Sequence, residues 1–347
     1  MKNGKIFLIF FILVVLALLL YLFKDFLLVM IIASLMAVAT SSINAKFLKL
    51  TKGHKFLASG LTTFCMILLF FAPFVYAMIE LAKAFKNFDI NLATQTLNYV
   101  KNYQFTLPES LNFLEPKIKE FLFSIDLNSI SKQILSIASN FTKLGAKFLI
   151  EMILICVFYF FANLYGTELV IYLKSIIPIN KKELNEILGE VGNVMAVVFY
   201  SMVIIAILEG TLFGLITKFY GYDGLLMGVI FSISSLIPAV GGALIYVPVS
   251  LYEFALGNLN GALVIFAYSI IVISVVADTF IKPLIIKWIN LKLVKTPTKI
   301  NELLIFLAMI AGISTFGFWG IILGPAILTF FVSTIKMYII LKDKNLI

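Results

Sequence analysis

Apolar residues in this chain are gathered into long runs that are separated by short polar segments. A helix that crosses a membrane needs about 20 predominantly apolar residues, and uninterrupted runs of that order recur here. The pattern predicts an all-α integral membrane protein with about eight hydrophobic segments. These segments are residues 6–23, 26–43, 56–79, 148–173, 194–217, 225–251, 261–281 and 303–335.

Two of these segments are too long and too broken to be single straight helices. Residues 303–335 would form a helix of roughly 50 Å, well beyond the thickness of the hydrocarbon core. That segment contains "FGFWGIILGP" at 316–325, and residues 225–251 contain "PAVGG" at 238–242. Proline and glycine interrupt helices, and irregular backbone at membrane depth is tolerated only against protein or a water-filled cavity. We therefore predict a re-entrant helical hairpin in each segment.

The positions of the lysines distinguish two topologies, because cytoplasmic loops of membrane proteins are enriched in lysine and arginine. If residues 225–251 crossed the membrane as an ordinary helix, the five lysines between positions 282 and 299 would lie outside the cell. If the segment enters and leaves on the outer side, these lysines become cytoplasmic. The sequence therefore predicts six crossings, two hairpins that enter from opposite faces, and cytoplasmic N- and C-termini.

One sizeable region, residues 80–147, lies outside the apolar segments. Its mixed charges and spaced apolar residues predict amphipathic helices that are separated at Pro108 and near Asp126. Such a region either lies on the membrane surface or packs against a neighbouring subunit. The chain accordingly divides into N-terminal transmembrane helices at 1–79, this amphipathic insert, and a transmembrane region at 148–347 that contains both hairpins.

Composition and charge narrow the classes of function. Hydrophobic residues make up 62% of the 347 residues, and the net charge of +9 arises from lysines without any arginine. Because the lysines lie mostly between apolar segments, they indicate membrane orientation and not nucleic-acid binding. The isolated Cys65, Cys156 and His54 cannot build a zinc or iron site. No catalytic motif is present, so we expect neither an enzyme nor a metal or cofactor.

Ionisable residues inside apolar segments are candidates for function, because a charge within the membrane is costly. Glu209 lies in "AILEGTLFGL", and Asp278 lies in "SVVADTFIKPLII" with Lys282 four residues later. Asp278 either lines a solute or ion path or pairs with Lys282 near the cytoplasmic interface. Glu209 either exchanges protons or is a protonated carboxyl that hydrogen-bonds a neighbour. Both residues are our candidates for proton coupling.

The broken backbone of the two hairpins is the second candidate for function. Many secondary transporters bind solutes at half-helix ends, where free amides and carbonyls face the ligand. The alternative is a pair of structural kinks, although a kink usually needs one proline or glycine and not a cluster. The residues that we expect along the solute or ion path are Pro238, Gly241, Gly242, Asp278, Thr279, Pro283, Gly317, Gly320, Gly324 and Pro325.

Pairs of glycines spaced four residues apart predict close helix packing. Small residues at this spacing share one helix face and allow another backbone to approach. The pairs are Gly210 with Gly214, Gly224 with Gly228, and Gly320 with Gly324.

The C-terminal half, residues 196–340, resembles the autoinducer-2 exporter family, also called the AI-2E family of transporters. Three stretches carry the resemblance: "SLIPAVGGALIYVPVSLYEFALGN", "ADTFIKPLI" and "GISTFGFWGIILGPAIL". The N-terminal half matches the family by layout only. The family usually has asparagine after the aspartate, where this chain has the hydroxyl of Thr279. The residues that match the family pattern are Pro238, Gly241, Pro248, Asp278, Ile281, Pro283, Gly317, Gly320, Gly324 and Pro325.

The resemblance implies a multi-pass inner-membrane transporter that forms a homopentamer. Our leading hypothesis is a secondary transporter that exports a small polar metabolite. Its site would lie where the two hairpin tips meet residues 261–281, with Asp278 or Glu209 sensing protons. The exported signal of the family is a furanone, but other members exchange sodium for protons, so a Na⁺/H⁺ antiporter is an alternative. A membrane scaffold that uses residues 80–147 for interaction is a further alternative. The expected partners are the lipid bilayer, a small polar solute, H⁺ or Na⁺, and further copies of the chain.

Overall fold

The computed structural model describes residues 2–86, 127–176, 181–238, 240–292 and 301–343, and these ranges contain helices and no strands. This confirms the all-α class. The first helices are α1 (Lys2–Leu22), α2 (Lys24–Ala39), α3 (Ser41–Leu50), α4 (Lys55–Met66), α5 (Ala72–Lys86) and α6 (Leu127–Ile176). They are followed by α7 (Lys181–Phe219), α8 (Gly224–Ser235), α9 (Ala243–Ala255), α10 (Leu259–Tyr268), α11 (Lys282–Lys292), α12 (Glu302–Phe316) and α13 (Gly320–Asp343).

Five helical stretches within the described ranges are long and apolar enough to cross a membrane, and a sixth arises if α1 and α2 form one bent span. These stretches support a multi-pass membrane protein, while the number of crossings stays a prediction. They are Lys55–Lys83, Gly145–Tyr172, Leu188–Phe219, Leu259–Lys292 and Leu303–Lys336, and the last of them contains the chain reversal at Gly317 that is described below.

The first two predicted crossings, residues 6–23 and 26–43, correspond to α1 and α2, which meet at an angle of 89°. Transmembrane helices tilt by about 20° on average from the bilayer normal, so two successive crossings would run in nearly opposite directions, and the chain would bend far more than it does between α1 and α2. The bend differs from that expectation, and separate crossing by the two helices stays a prediction. The apolar side chains of α1 are exposed along its whole length in the described chain, as lipid-facing side chains would be.

Two helices continue through boundaries that the sequence pattern suggested. The helix α6 runs for 50 residues and passes without a break from the predicted insert into the apolar segment 148–173. The helix α7 likewise continues from an amphipathic start into the segment 194–217. The predicted break at Pro108 lies outside the described residues, as do residues 87–126 as a whole.

The chain divides into two compact units. The first unit comprises residues 1–67, 150–200 and 289–347, and the second comprises residues 68–149 and 201–288. The second unit has a core of fully buried aromatic and branched side chains, in which the rings of Phe213 and Phe231 stack with centroids 4.4 Å apart. Each unit contains one of the two segments that were predicted as hairpins.

In the second unit, the segment 225–251 folds back on itself as a helical hairpin. Its legs α8 and α9 have 12 and 13 residues, so each is roughly 20 Å long and shorter than a hydrocarbon core of about 30 Å. At the base, the Tyr222 hydroxyl donates to the Glu253 carboxylate over 2.7 Å. At the tip, the Ser234 hydroxyl donates to the Gly241 carbonyl. The chain reversal is therefore established, while its entry into a membrane stays a prediction.

In the first unit, the segment 303–335 forms a second helical hairpin from α12 and α13. A methyl group added to Gly312 would lie 2.1 Å from the Gly320 carbonyl oxygen, and one added to Gly324 would lie 1.9 Å from the Ala308 carbonyl oxygen. In one straight helix, residues 308 and 324 would be about 24 Å apart. The reversal occurs at Gly317, whose φ of +62° favours glycine.

Two of the predicted glycine pairs pack against each other in the second unit. The helices α7 and α8 run in opposite directions there, with Gly210 facing Gly228 and Gly214 facing Gly224. A methyl group added to Gly214 would lie 2.3 Å from the Gly224 carbonyl oxygen. The absence of side chains lets the two backbones meet, which confirms the prediction of a packing seam.

Two π-helical stretches, Ile67–Phe71 and Ser269–Ile281, join successive α-helices. Each ends two residues before a proline, Pro73 in one case and Pro283 in the other. Proline has no N–H, and its ring collides with the carbonyl four residues earlier, so a wider turn relieves the conflict. The Lys282 N–H accordingly donates to the carbonyl five residues earlier. The helix thus passes the proline without a break.

The buried Glu253 carboxylate joins three parts of the second unit. Only 5% of the Glu253 residue is exposed. Its carboxylate accepts one hydrogen bond from the Tyr222 hydroxyl and a second from the Asn258 amide, which lies 2.6 Å away. Asn258 also caps α10 by accepting from the Gly261 N–H. Burial raises the pKa of Tyr222, and the Glu253 carboxylate raises it further. The phenol therefore keeps its proton and acts as the hydrogen-bond donor to Glu253. Glu253 therefore connects the start of α8 with the end of α9 and the start of α10.

Replacing Glu253 by alanine is expected to lower the free energy of unfolding by about 2 kcal/mol, because the Tyr222 hydroxyl and the Asn258 amide lose the buried acceptor that they share. The measurement is denaturation of the purified protein in detergent. The matched control is Glu168→Ala, whose partner Lys55 and own side chain are both more than half exposed. An exposed pair of this kind contributes about 0–1 kcal/mol. Equal effects of the two variants would show that Glu253 does not hold the hairpin base.

Candidate functional site

Glu209 is a buried carboxyl in the second unit, with 4% of the residue exposed. The helix α7 carries it within an apolar segment, next to the glycine seam formed with α8. Its side chain lies near the Ser235 side chain and the Asp278 carboxyl, and Lys282 lies close enough to act on it electrostatically. The structure thus brings together the two residues that the sequence suggested for proton coupling.

Asp278 and Lys282 form an ion pair in which the Lys282 Nζ lies 3.0 Å from an Asp278 carboxylate oxygen. The pair spans one turn, and its side chains are 43% and 44% exposed in the described chain. The sequence left open whether Asp278 forms such a pair or lines a path. The structure shows the pair, and it also places Asp278 beside a second carboxyl. The two interpretations are therefore compatible.

The turn that carries Asp278 has an unusual backbone. Asp278 and Thr279 belong to the π-helical stretch, and Pro283 opens the following α-helix. Because the nitrogen of Pro283 carries no hydrogen, it cannot donate to the carbonyls of the preceding turn. Thr279 and Pro283 are both exposed in the described chain. This turn therefore has one main-chain donor fewer than an ordinary helical turn, next to the Asp278 carboxylate.

The tip of the first hairpin contains the predicted path residues Pro238, Gly241 and Gly242, and it carries Ser235 close to Glu209. A methyl group on Gly241 would lie 2.0 Å from the Ser234 carbonyl oxygen, so this position requires glycine, whereas one on Gly242 would meet only the edge of the Phe231 ring. Pro238 is half-buried in the same turn, and its carbonyl accepts from the Val240 N–H. Ser235, the last residue of α8, reaches Glu209. The tip thus contacts the carboxyl through Ser235.

Four predicted path residues lie in the other hairpin, in the first unit. Gly317 is exposed at the reversal, and Gly320, Gly324 and Pro325 are buried in α13. Their contacts are with the partner leg α12, so the structure gives them a packing role. That they meet the tip of the first hairpin stays a prediction.

The reversal of the second hairpin is attached to α6. The Trp319 indole N–H donates to a Glu151 carboxylate oxygen over 2.9 Å, and Trp319 is buried. Glu151 stands near the start of the apolar segment 148–173. The hydrogen bond gives Glu151 the task of holding the turn between α12 and α13.

Sequence reasoning missed Ser235, and it gave no task to Glu253. A signal for Ser235 was available, because the polar doublet Ser234–Ser235 directly precedes the break of an apolar segment. It also missed a buried chain of polar groups in the first unit, where the Thr40 and Tyr159 hydroxyls lie 2.6 Å apart. Isolated threonines and tyrosines in apolar segments are common, so no pattern singled these two out.

No group of three or more metal-ligating acidic, histidine or cysteine side chains occurs in the described parts of the chain. The second-unit site brings together two carboxyls, one ammonium and one hydroxyl. With both carboxyls ionised, the cluster of Glu209, Asp278 and Lys282 carries a net charge of −1. One added proton, or one monovalent cation, neutralises it.

Comparison with known proteins agrees with this architecture. Residues 10–340 match the family described as AI-2E family transporter, so the similarity extends well into the N-terminal half. A protein of Helicobacter pylori strain J99 is 34% identical over 324 residues, which cover 92% of this chain and 91% of that protein. A protein of Helicobacter pylori strain 26695 is 32% identical over 321 residues, with the same coverage.

A more distant protein, from Aquifex aeolicus, is 23% identical over 256 residues, covering 72% of this chain and 69% of that protein. All three relatives are described as candidate transport proteins. These descriptions favour a transport protein over an enzyme. The family match confirms the resemblance seen in the sequence: the chain belongs to the AI-2E family of transporters.

Proposed function

We propose that this transporter exports a small polar metabolite of the furanone type and that the export is coupled to protons. The observation that carries the proposal is the interaction of the buried Glu209 carboxyl with Asp278 and with Ser235 at the hairpin tip. An unneutralised charge is costly inside a membrane protein. The cluster therefore favours the uptake of one proton, which removes its net charge.

Burial gives the two carboxyls different tasks in this mechanism. Asp278 is almost half exposed, whereas Glu209 is nearly inaccessible. Asp278 is thus the group that exchanges protons with a polar path. Glu209 is the group whose protonation changes its interaction with Ser235 and thereby affects the hairpin. The Ser235 hydroxyl donates to the Ser232 carbonyl over 3.1 Å, so a protonated Glu209 can donate to the Ser235 oxygen, whereas an ionised Glu209 has to compete for the Ser235 hydrogen. This change in hydrogen bonding couples the proton to the backbone around Gly241.

The membrane arrangement belongs to the same proposal. One hairpin enters the inner membrane from the outer face and the other enters from the cytoplasmic face. Both termini are cytoplasmic, and five copies of the chain assemble. The short legs of α8 and α9 and the lysine distribution support the first two points. The pentamer rests on the family resemblance alone.

The proposal is tested with purified protein in proteoliposomes that are loaded with a furanone-type autoinducer. A pH gradient across the membrane should drive furanone efflux, and collapse of that gradient by a protonophore should stop it. Protein-free liposomes provide the leak rate. A rate of furanone efflux that does not depend on the pH gradient would refute proton coupling. The absence of any furanone efflux above the leak rate would refute this substrate class.

The Na⁺/H⁺ antiporter remains the second candidate, because the same net charge of −1 suits a monovalent cation as well as a proton. The vesicles described above distinguish the two functions when they contain a pH-sensitive dye. An antiporter would move protons after the addition of sodium chloride without any furanone. If neither ion nor furanone moved, the scaffold would be the remaining alternative.

The entry side of the first hairpin has its own test. Leu256 is exposed just after α9, so Leu256→Cys in a chain with Cys65→Ala and Cys156→Ala should react with an impermeant maleimide from outside intact cells. His54→Cys, in the exposed turn before α4, is the control and should react only after the cells are opened. Labelling of Leu256→Cys only in opened cells would contradict the re-entrant arrangement, because residues 225–251 would then be a crossing.

A further inference from the structure

The second unit contains an open apolar groove of about 630 Å³ that the proposed transport mechanism does not use. Its walls are the π-helical stretch before α5, one face of α7, and α8, and Glu209 is not among its lining residues. Leu69, Ile207, Leu215, Leu225 and Val229 are typical of the lining. A groove of this size is large enough for a ligand, and its walls indicate an apolar one.

The hydroxyl groups in the groove cannot donate to a polar solute, because their hydrogens are already used. The Thr211 hydroxyl donates to the Ile207 carbonyl over 2.6 Å, and the Ser232 hydroxyl donates to the Gly228 carbonyl over 2.8 Å. Along the apolar walls, a polar solute would therefore find hydroxyl oxygens that accept but no hydroxyl donor, and it would lose more hydrogen bonds to water than it regains. An acyl chain has no such bonds to lose.

One end of the groove differs from the rest, because it carries the cation Lys218. This lysine is exposed in the last turn of α7, where the apolar stretch Leu188–Phe219 ends. Among the described residues that line the groove, Lys218 is the one basic side chain, and no hydrogen bond or ion pair ties it to another described residue. The nearby Asp223 is engaged, since one of its carboxylate oxygens caps α8 at Leu225 and Leu226.

The dimensions match those of one lipid leaflet. From Val203 to Lys218, the face of α7 that lines the groove rises by about 22 Å, and one leaflet including its head-group region is about 20–22 Å thick. The apolar groove is about as long as one leaflet and ends at the cation Lys218. It therefore complements a lipid that has an apolar chain and an anionic head group. We propose that this groove holds one acyl chain of an acidic phospholipid, with the lipid phosphate bound by Lys218.

The test is native mass spectrometry of the purified, delipidated protein, titrated with phosphatidylglycerol. Ile207→Trp fills the groove from an exposed position, and it should remove one bound phosphatidylglycerol per protomer. Its control is Leu263→Trp, which adds the same ring at an exposed site of the second unit outside the groove and should leave the count unchanged.

The head-group contact is tested separately. Lys218→Gln should raise the dissociation constant for phosphatidylglycerol about tenfold, the size of one lost charge-assisted hydrogen bond. Lys287→Gln, which removes an exposed lysine elsewhere in the second unit, should not change it. Inorganic phosphate should not compete, because it lacks the chain.

Three results would overturn the proposal. The two tryptophan variants could bind equal numbers of phosphatidylglycerol molecules, or the two lysine variants could have equal dissociation constants. The third result is that Ile207→Trp lowers the number of protomers in the assembly while lipid binding is unchanged. The groove would then be covered by a second copy of the chain and not by lipid.

Discussion

Replacing Glu209 by glutamine is expected to reduce the pH-driven efflux of furanone from proteoliposomes to the leak rate of protein-free vesicles. Glutamine is close to glutamate in size and still forms hydrogen bonds, but it cannot release or accept a proton in this range. The cluster with Asp278 and Lys282 then has no net charge of −1 left to neutralise, so this charge no longer favours proton uptake. The measurement is efflux at several imposed pH gradients.

The matched control for this prediction is Glu168→Gln, which removes a carboxylate from an exposed pair with Lys55 and should transport like the unaltered chain. Asp278→Asn should retain residual coupling, because the buried Glu209 is still present. Size-exclusion profiles of the variants separate a transport defect from misfolding. Full pH-driven efflux by Glu209→Gln would exclude Glu209 as the coupling carboxyl.

The second large effect is expected from Gly312→Ala in the first unit. The new methyl group would lie 2.1 Å from the Gly320 carbonyl oxygen and 3.1 Å from the Gly324 Cα. Both contacts are with backbone, so no side chain can rotate away, and the two legs of the hairpin must separate. We expect a loss of about 3 kcal/mol in the free energy of unfolding. The measurement is denaturation in detergent, with transport as the second readout.

The control for the hairpin variant is Gly166→Ala, because Gly166 also lies inside a helix of the first unit but has no atom within 4 Å of the added methyl group. There alanine should stabilise the helix by roughly 0.5–1 kcal/mol. The same substitution is thus expected to have opposite signs at the two sites. Similar effects would mean that helix propensity, and not the close approach of the legs, sets the stability at Gly312.

Much of the local architecture can be predicted from the sequence, because it depends on neighbouring residues. Uninterrupted apolar runs predict membrane helices, and the clusters at 238–242 and 316–325 coincide with the two observed reversals. Glycines spaced by four residues predict backbone contact, and Gly210 and Gly214 make it. Proline at position 283 indicates a perturbed helix, although the wide π-helical turn is only one of several ways to pass a proline.

The candidate site was less accessible to prediction. Glu209 and Asp278 stand out singly as ionisable residues in apolar segments, but their mutual contact joins helices that are remote in the chain. Ser235 acquires its task only because the hairpin tip turns it toward Glu209. The bond between Tyr222 and Glu253 likewise depends on closure of the hairpin base. Such contacts depend on how whole helices pack, and no spacing along the sequence encodes them.

By itself, the sequence determined that this protein is a helical membrane protein, where its helices break, and to which transporter family its motifs belong. Hydrophobic length, proline geometry and glycine spacing act over a few residues, so they can be inferred without a fold. The tertiary structure alone decided that both broken segments fold back, that two carboxyls and a lysine form one cluster, and that a leaflet-length groove ends at Lys218. These features arise when helices that are distant in the chain come into contact. The free energy of such a contact depends on both helix surfaces together, so no local stretch of sequence determines it.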